Sequence, residues 1–334
     1  MRNADKNAAP VVVVVEAEGE RQITSATLEC LAVAFDVGGQ LGCEVIALVW
    51  GSDAAAIADE VGQYSTDGVC VLPGLDPQSP DVIAAAIVQA CRTLMPVAVL
   101  LGDSLLAADL APRLAFALDA ALVTDCAGIR FEDGEVRLLK SVYGGNIVAE
   151  YAADTVPFLA TMQSRCARAA TKHEGARATV TPLPIAVEPS TTSIEVLERV
   201  VEPPSGPALA NARVVVAGGR GVGLEGFETV REVAAVLHGA VGASRPACDA
   251  GWAPARSQVG LTGERVAPSL YIAAGISGAS QHLAGMVRAQ KIVAINKDAR
   301  ANVFRVADYG VVGPWEEVGP AFRDAVAELH RVRR

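Results

Sequence analysis

Between Val11 and Leu118, short valine-rich runs alternate with alanine-rich stretches, and this alternation restricts the fold more than any other feature of the chain. The runs are Val11–Val15, Glu44–Val49, Val69–Leu72 and Val97–Leu101. The stretches after them, Thr24–Gly38, Asp53–Val61, Asp81–Leu94 and Ser104–Leu118, read as helices. A strand that is apolar at consecutive positions is buried on both faces, as in a parallel sheet covered by helices. The pattern predicts a βαβ series.

Beyond Ala121 the rhythm changes. Leu122–Asp125, Gly128–Phe131, Val136–Val142, Ile147–Tyr151 and Phe158–Met162 are short apolar runs. Asp133-Gly134 and Gly144-Gly145 lie between them as turns, which predicts hairpins. Ala167–Ser193 is rich in Thr, Pro and Ala and carries little pattern. Val201-Glu-Pro-Pro-Ser-Gly-Pro207 cannot sit inside a helix or a central strand and reads as a linker. The expected organisation is an N-terminal domain over 1–200, a linker over 201–210 and a C-terminal domain over 211–334.

Apolar residues make up 51% of the 334 positions, enough for a sizeable core. The net charge of −10 argues against a nucleic-acid or membrane-surface binder. That charge is unevenly placed. From Pro207 onward there are 15 basic and 11 acidic residues, net +4, so the C-terminal domain is the better host for an anionic ligand. The seven cysteines include no CxxC pair, and no HExxH is present, so a zinc or iron–sulfur centre is not expected. Scattered cysteines read as reduced thiols. The polar start Met1–Pro10 and the five-residue run Val11–Val15 predict neither a signal segment nor a membrane span, hence a soluble, cytoplasmic protein.

The C-terminal half carries the candidate site. Arg213–Ala217 reads as a strand running into Gly218-Gly-Arg-Gly-Val-Gly223, a turn whose amides could approach a phosphate. A nicotinamide-binding reading needs an acidic residue about 20 positions on, at the end of the second strand. Ala240-Val-Gly-Ala-Ser-Arg245 ends in Ser and Arg instead. NAD is therefore disfavoured, and an NADP-dependent oxidoreductase is the weaker alternative. Gln258-Val-Gly-Leu-Thr-Gly263 offers amides and the Thr262 hydroxyl. Ser269–Ala274 reads as a strand ending in Gly275-Ile-Ser-Gly-Ala-Ser-Gln-His282, the start of a further helix. Lys291–Ile295 ends in Asn296, and Tyr309–Val312 is preceded by Asp308. Polar residues are thus expected at the carboxyl ends of parallel strands, where open α/β sheets bind ligands. A nucleotide-binding regulatory module is a further alternative, but the N-terminal series has no GxxxxGK[ST] loop.

These segments carry a resemblance. Ala240–Pro246, Gln258–Gly263, Leu270–Gly285, Ile292–Asp298 and Val306–Val312 resemble the α subunit of electron transfer flavoprotein, most specifically from Leu270 to Asn296. The N-terminal series and its Tyr143-Gly-Gly-Asn146 turn also suit that family. The resemblance implies an α/β fold of two domains. The first is a βαβ parallel-sheet domain with extra hairpin strands. The second is a flavodoxin-like or Rossmann-like parallel-sheet domain holding FAD. It implies a heterodimer with a β subunit and an electron carrier rather than an enzyme. Such carriers take electrons from flavin dehydrogenases, commonly the acyl-CoA dehydrogenases of fatty acid β-oxidation. They pass them to a quinone oxidoreductase or another acceptor, and some relatives split electron pairs with a second FAD.

By the same resemblance, Arg220, Ser244, Ser277 and Gln281 line the FAD diphosphate and ribityl chain. Gly278, Ala279 and Ser280 belong to the same turn. Asn296, Asp308 and the adjoining Tyr309 serve the adenosine half. Arg245, Thr262 and His282 surround the isoalloxazine ring, with Gln258, Val259, Gly260 and Leu261 beside it. Positive charge and donors there would stabilise the reduced flavin. Two positions depart from the family's pattern: Leu261, commonly Gln, and Pro314-Trp315, more usually an acidic or apolar pair. The second departure bears on how the final helix starts and docks.

Overall fold

A computed structural model of the chain describes residues 9–18, 22–51, 53–64, 66–73, 79–132, 134–143, 147–173, 175, 177–186, 197, 209 and 212–332. It divides into two compact units, Met1–Arg199 and Val200–Arg334. Apart from Leu209, the linker expected at 201–210 lies outside the described residues, as do Asp133 and Gly144–Asn146 of the expected turns.

In the first unit the valine-rich runs form β1 (Val11–Val14), β4 (Val45–Trp50), β5 (Gly68–Leu72) and β6 (Ala98–Leu101). The helices between them are α1 (Ser25–Leu41), α2 (Ala54–Val61), α3 (Pro80–Leu94) and α4 (Leu105–Leu118). A small antiparallel pair, β2 (Ala17–Glu18) and β3 (Gln22–Ile23), precedes α1. Side chains alternate across β1. Val11 and Val13 pack with α1 and α2, whereas Val12 and Val14 pack with α3 and α4. All four valines are 0% exposed, which is why the run is unbroken.

Three strands follow, β7 (Ala121–Glu132), β8 (Glu135–Val142) and β9 (Ile147–Ala152), then β10 (Phe158–Met162) and β11 (Thr179–Pro182). The nine-stranded sheet runs β11-β5-β4-β1-β6-β10-β7-β8-β9. The hairpins expected here are the antiparallel β7–β8 and β8–β9 pairs. Three expectations are corrected. Leu122–Asp125 and Gly128–Phe131 are one strand, because a register shift between Cys126 and Gly128 absorbs an extra residue without ending the ladder. Phe158–Met162 is no hairpin strand; it lies parallel between β6 and β7. The weakly patterned stretch holds β11, an exposed parallel strand at the sheet edge, ending in Pro182.

The second unit is a five-stranded, wholly parallel sheet. Its strands are β12 (Val214–Gly218), β13 (Ala240–Ala243), β14 (Leu270–Ala274), β15 (Ile292–Asn296) and β16 (Tyr309–Val312). The spatial order β13-β12-β14-β15-β16 is the 2-1-3-4-5 order of flavodoxin-like sheets, whose topological switch point lies between β12 and β14. α5 (Gly223–Val236) and α8 (Trp315–Val332) cover one face. The other face is covered largely by irregular chain, including Val259, Val266, Met286 and Val303. The helices of the connections are short: α6 (Arg245–Asp249) and α7 (Ser280–Leu283). The helix expected to open at Gly275 is thus only the four residues of α7. Among the described residues no helix is long and apolar enough to cross a membrane.

Candidate functional site

The five strands of the second unit all end on one edge. At a spacing of about 4.8 Å they span roughly 19 Å. Along this edge lie residues 219–222 after β12, Ser244 and Arg245 after β13, and 275–279 after β14. Asn296 and Lys297 follow along β15, and Gly313–Trp315 comes after β16. The segment 258–262 joins them: Gln258 bridges Ala243, and the Val259 N–H donates to the Ala243 carbonyl at 2.9 Å. It reaches α7 as well, since the Leu261 N–H donates to the Gln281 carbonyl at 2.7 Å. Ser244–Arg245, Gln258–Thr262 and Gln281–His282 therefore form one end of the strip.

At that end His282 is 7% exposed. Its Nε2 lies 3.0 Å from the Tyr271 hydroxyl, and its Nδ1 is buried with no hydrogen-bond partner among the described residues. Burial pushes the imidazole down to about 4, opposed by a weaker contact with the Val259 backbone, so the ring is neutral at pH 7. Ser244 is also buried, and its Oγ has no partner among the described residues either. Buried polar atoms left unpaired are uncommon and need a reason. Gln258 Nε2 donates to Thr262 Oγ1 at 3.0 Å, and Arg245 Nε lies 3.6 Å from Asp249 Oδ2. Leu261 is 53% exposed, so its side chain adds apolar surface to this end.

The middle of the strip is built on close backbone packing. A Cβ on Gly221 would stand 2.7 Å from the Gly275 carbonyl oxygen, so the loops after β12 and β14 meet at the switch point with no room for a side chain. The Gly219 and Gly221 N–H groups donate to Ala274 and Gly275 at 2.7 and 3.0 Å. The glycine turn after β12 thus spends two amides on its neighbour, contrary to the expected open phosphate cradle. In the Gln258–Gly263 segment the N–H groups of Val259, Gly260, Leu261 and Gly263 are likewise bonded within the fold. The free amides stand elsewhere. Those of Ser277, Gly278, Ala279, Ser280 and Gln281 have no acceptor among the described residues. Gly278 has φ +80°, and that left-handed residue curls the amides into a concave turn. Arg220, Arg245 and Lys297 are exposed along the same edge.

At the other end Asn296 is a strut. Its Nδ2 donates to the Ile276 carbonyl at 2.8 Å, and its Oδ1 accepts from the Asp298 N–H at 3.0 Å. A slot beside it is lined by Gly221, Gly275, Asn296, Gly313, Pro314 and Trp315. Gly313–Trp315 were not placed at the site from sequence, yet they follow a strand and so fall on its carboxyl end. Asp308 and Tyr309 are corrected: Asp308 precedes β16 and Tyr309 opens it, so both stand at the opposite edge of the sheet. Asp308 takes the Ile292 N–H at 2.8 Å and Lys291 Nζ at 2.8 Å. The length of β15, roughly 13 Å at about 3.3 Å per residue, separates it from Asn296. Those two donors hold its carboxyl below the usual carboxylate range.

A parallel sheet with free amides, unpaired buried polar atoms and cations along its carboxyl edge suits an elongated anionic cofactor. The comparisons name that class: residues 208–287 match the electron transfer flavoprotein FAD-binding domain, so the cofactor of this unit is FAD. Residues 11–188 match the electron transfer flavoprotein domain. The chain is 35% identical to the electron transfer flavoprotein subunit alpha of Bacillus subtilis (strain 168), across 96% of this chain and 98% of that one. It is 36% identical to the protein FixB of Clostridium saccharobutylicum, across 92% and 93%. It is also 36% identical to a probable mitochondrial electron transfer flavoprotein subunit alpha of Caenorhabditis elegans, across 90% and 88%. The chain belongs to the electron transfer flavoprotein α-subunit family, and its role is electron transfer.

Proposed function

We propose that this chain is the FAD-carrying α subunit of a two-subunit electron carrier. It takes electrons from flavin dehydrogenases, acyl-CoA dehydrogenases among them, and passes them to a quinone oxidoreductase or another acceptor, without turning over a substrate of its own. The observation that carries the reading is the carboxyl edge of the second unit, where the Ser244 hydroxyl and His282 Nδ1 are buried and unpaired beside the free amides of 277–281. FAD supplies the redox-active ring when bound. The chain's residues hold and orient it. The amides of 277–281, Ser244 and Arg220 take the diphosphate and ribityl part. Arg245, Thr262, His282 and the 258–261 backbone border the ring. Asn296 and Gly313–Trp315 frame the adenosine half.

The domains act as 1–200, with 201–210 joining them to 211–334. The first faces the β subunit through its free β9 edge, where Ile147, Val148 and Tyr151 are exposed. The protein works in the cytoplasm, where its seven cysteines stay reduced; none of them forms a disulfide among the described residues.

The test is a visible spectrum of the chain purified with its β subunit and reduced stepwise without oxygen. A flavin spectrum that bleaches with the dehydrogenase as reductant supports the carrier. A colourless complex that binds NADPH overturns it.

A further inference from the structure

We propose that Tyr271 is a positioning residue that fixes the tautomer of His282, so that His282 presents Nδ1–H, a donor, to the flavin edge. This rests on the reading that FAD lies along the carboxyl edge. The argument is an accounting of hydrogens. Tyr271 is 0% exposed and sits on β14 inside the core, with its ring 6.2 Å from the imidazole and inclined at 61°. Its hydroxyl and His282 Nε2 are 3.0 Å apart. One of the two must donate.

If Nε2–H donated to the phenol oxygen, the Tyr271 O–H would need another acceptor. None is present among the described residues, so a buried donor would be stranded. His282 Nδ1 would then also face the site as a bare acceptor. If the phenol donates to Nε2, its only hydrogen is used, and the ring's single proton resides on Nδ1. That nitrogen is buried and, beyond the weaker contact of the ring with the Val259 backbone, makes no hydrogen bond among the described residues, so it has a proton to offer a ligand. Burial favours the neutral form of both groups, so the pair holds one phenolic proton and one imidazole proton. A neutral donor strengthens its bond as the flavin edge gains negative charge on reduction. The phenol therefore selects donor over acceptor at the flavin without touching it.

The test labels the four histidines with 15N in the full chain, with its β subunit and FAD, and reads the His282 tautomer from its ring nitrogen resonances at pH 7. The His282→Gln variant assigns the signal. The expected result is Nδ1–H with a bare, hydrogen-bonded Nε2. Tyr271→Phe should shift the population toward Nε2–H and lower the FAD midpoint potential, while 3-fluorotyrosine at 271 should restore both. An Nε2–H or doubly protonated ring in the wild type overturns the proposal, as does a Tyr271→Phe potential equal to the wild type. If FAD fails to bind at all, the functional reading fails instead, and the tautomer is still read on the flavin-free chain.

Discussion

Trp315 Nε1 donates a 3.0 Å hydrogen bond to the Gly226 carbonyl, tying the first residue of α8 to the first turn of α5. The indole is 3% exposed and packs where two glycines leave room. A Cβ on Gly226 would stand 3.0 Å from Trp315 Cδ1, and one on Gly319 would stand 2.8 Å from Trp315 Cε2. The Pro314-Trp315 departure therefore docks the last helix. Trp315→Phe removes the bond and should cost about 1–2 kcal/mol in urea unfolding. Gly226→Ala pushes the indole and should destabilise similarly. Both should quicken FAD release, because Trp315 lines the slot beside Asn296. Unchanged release in a destabilised variant would separate the helix from the cofactor.

Ser244 offers the opposite signature. Its buried hydroxyl has no partner among the described residues, so Ser244→Ala removes a desolvation penalty and loses none of their bonds. Unfolding of the flavin-free chain should be unchanged or slightly harder. FAD affinity should fall about tenfold, equivalent to roughly 1.4 kcal/mol. Equal affinity for both proteins by flavin fluorescence titration would remove Ser244 from the site.

Asp308 tests the edge assignment. Asp308→Asn breaks the Lys291 ion pair and weakens the acceptor for the Ile292 N–H. The melting temperature should drop while FAD affinity stays at the wild-type value. A matched loss of affinity would return Asp308 to the cofactor.

Why Asp308 misleads a reader of sequence is a matter of direction. A polar residue beside an apolar run marks an end of a strand, and only its order in the chain says which end. Ser244, Ser277 and Gly313 follow their strands and fall on the carboxyl edge; Asp308 precedes β16 and falls on the other. The valine runs were legible because burial on both faces leaves an unbroken apolar signal. β11 was not, because its residues are exposed and carry no such signal. The place of β10 between β6 and β7 is set by long-range pairing that no local pattern records. The bulge in β7 looks like a turn because Asp125, with φ +55°, interrupts the run. The spent amides of Gly219 and Gly221 depend on where the β14 loop lies, which a glycine motif alone does not reveal.

His282 makes stability depend on pH in one direction. Its folded value is about 4, below the ordinary 6.5, because burial disfavours the charged ring. Between those values the unfolded chain binds more protons than the folded one, so stability rises with pH. The full contribution is present above pH 6.5, is lost as pH falls toward 4, and does not change further below that. Its upper bound is about 3 kcal/mol at 1.36 kcal/mol per pKa unit. Urea unfolding of the flavin-free chain from pH 7.5 to 4.5 should show this slope. His282→Gln should flatten it by that contribution, leaving the carboxylates' share, and an identical slope in the variant would place the effect elsewhere.

Arg245, proposed to border the flavin ring, has its charge only loosely engaged within the chain. Its pairing with Asp249 is long, at 3.6 Å, and both side chains are about two-thirds exposed, at 67% and 66%. Such a surface pair contributes little to stability. Arg245→Ala should therefore leave urea unfolding of the flavin-free chain within about 0.5 kcal/mol of wild type. Its effect is expected in the loaded complex, where a guanidinium at the proposed ring position would favour the reduced, more negative flavin. Removing it should lower the FAD midpoint potential, and Arg245→Lys, which keeps the charge but not the planar fork, should recover part of the loss. A redox titration in which Arg245→Ala matches the wild type would move the source of flavin tuning to Thr262 and His282.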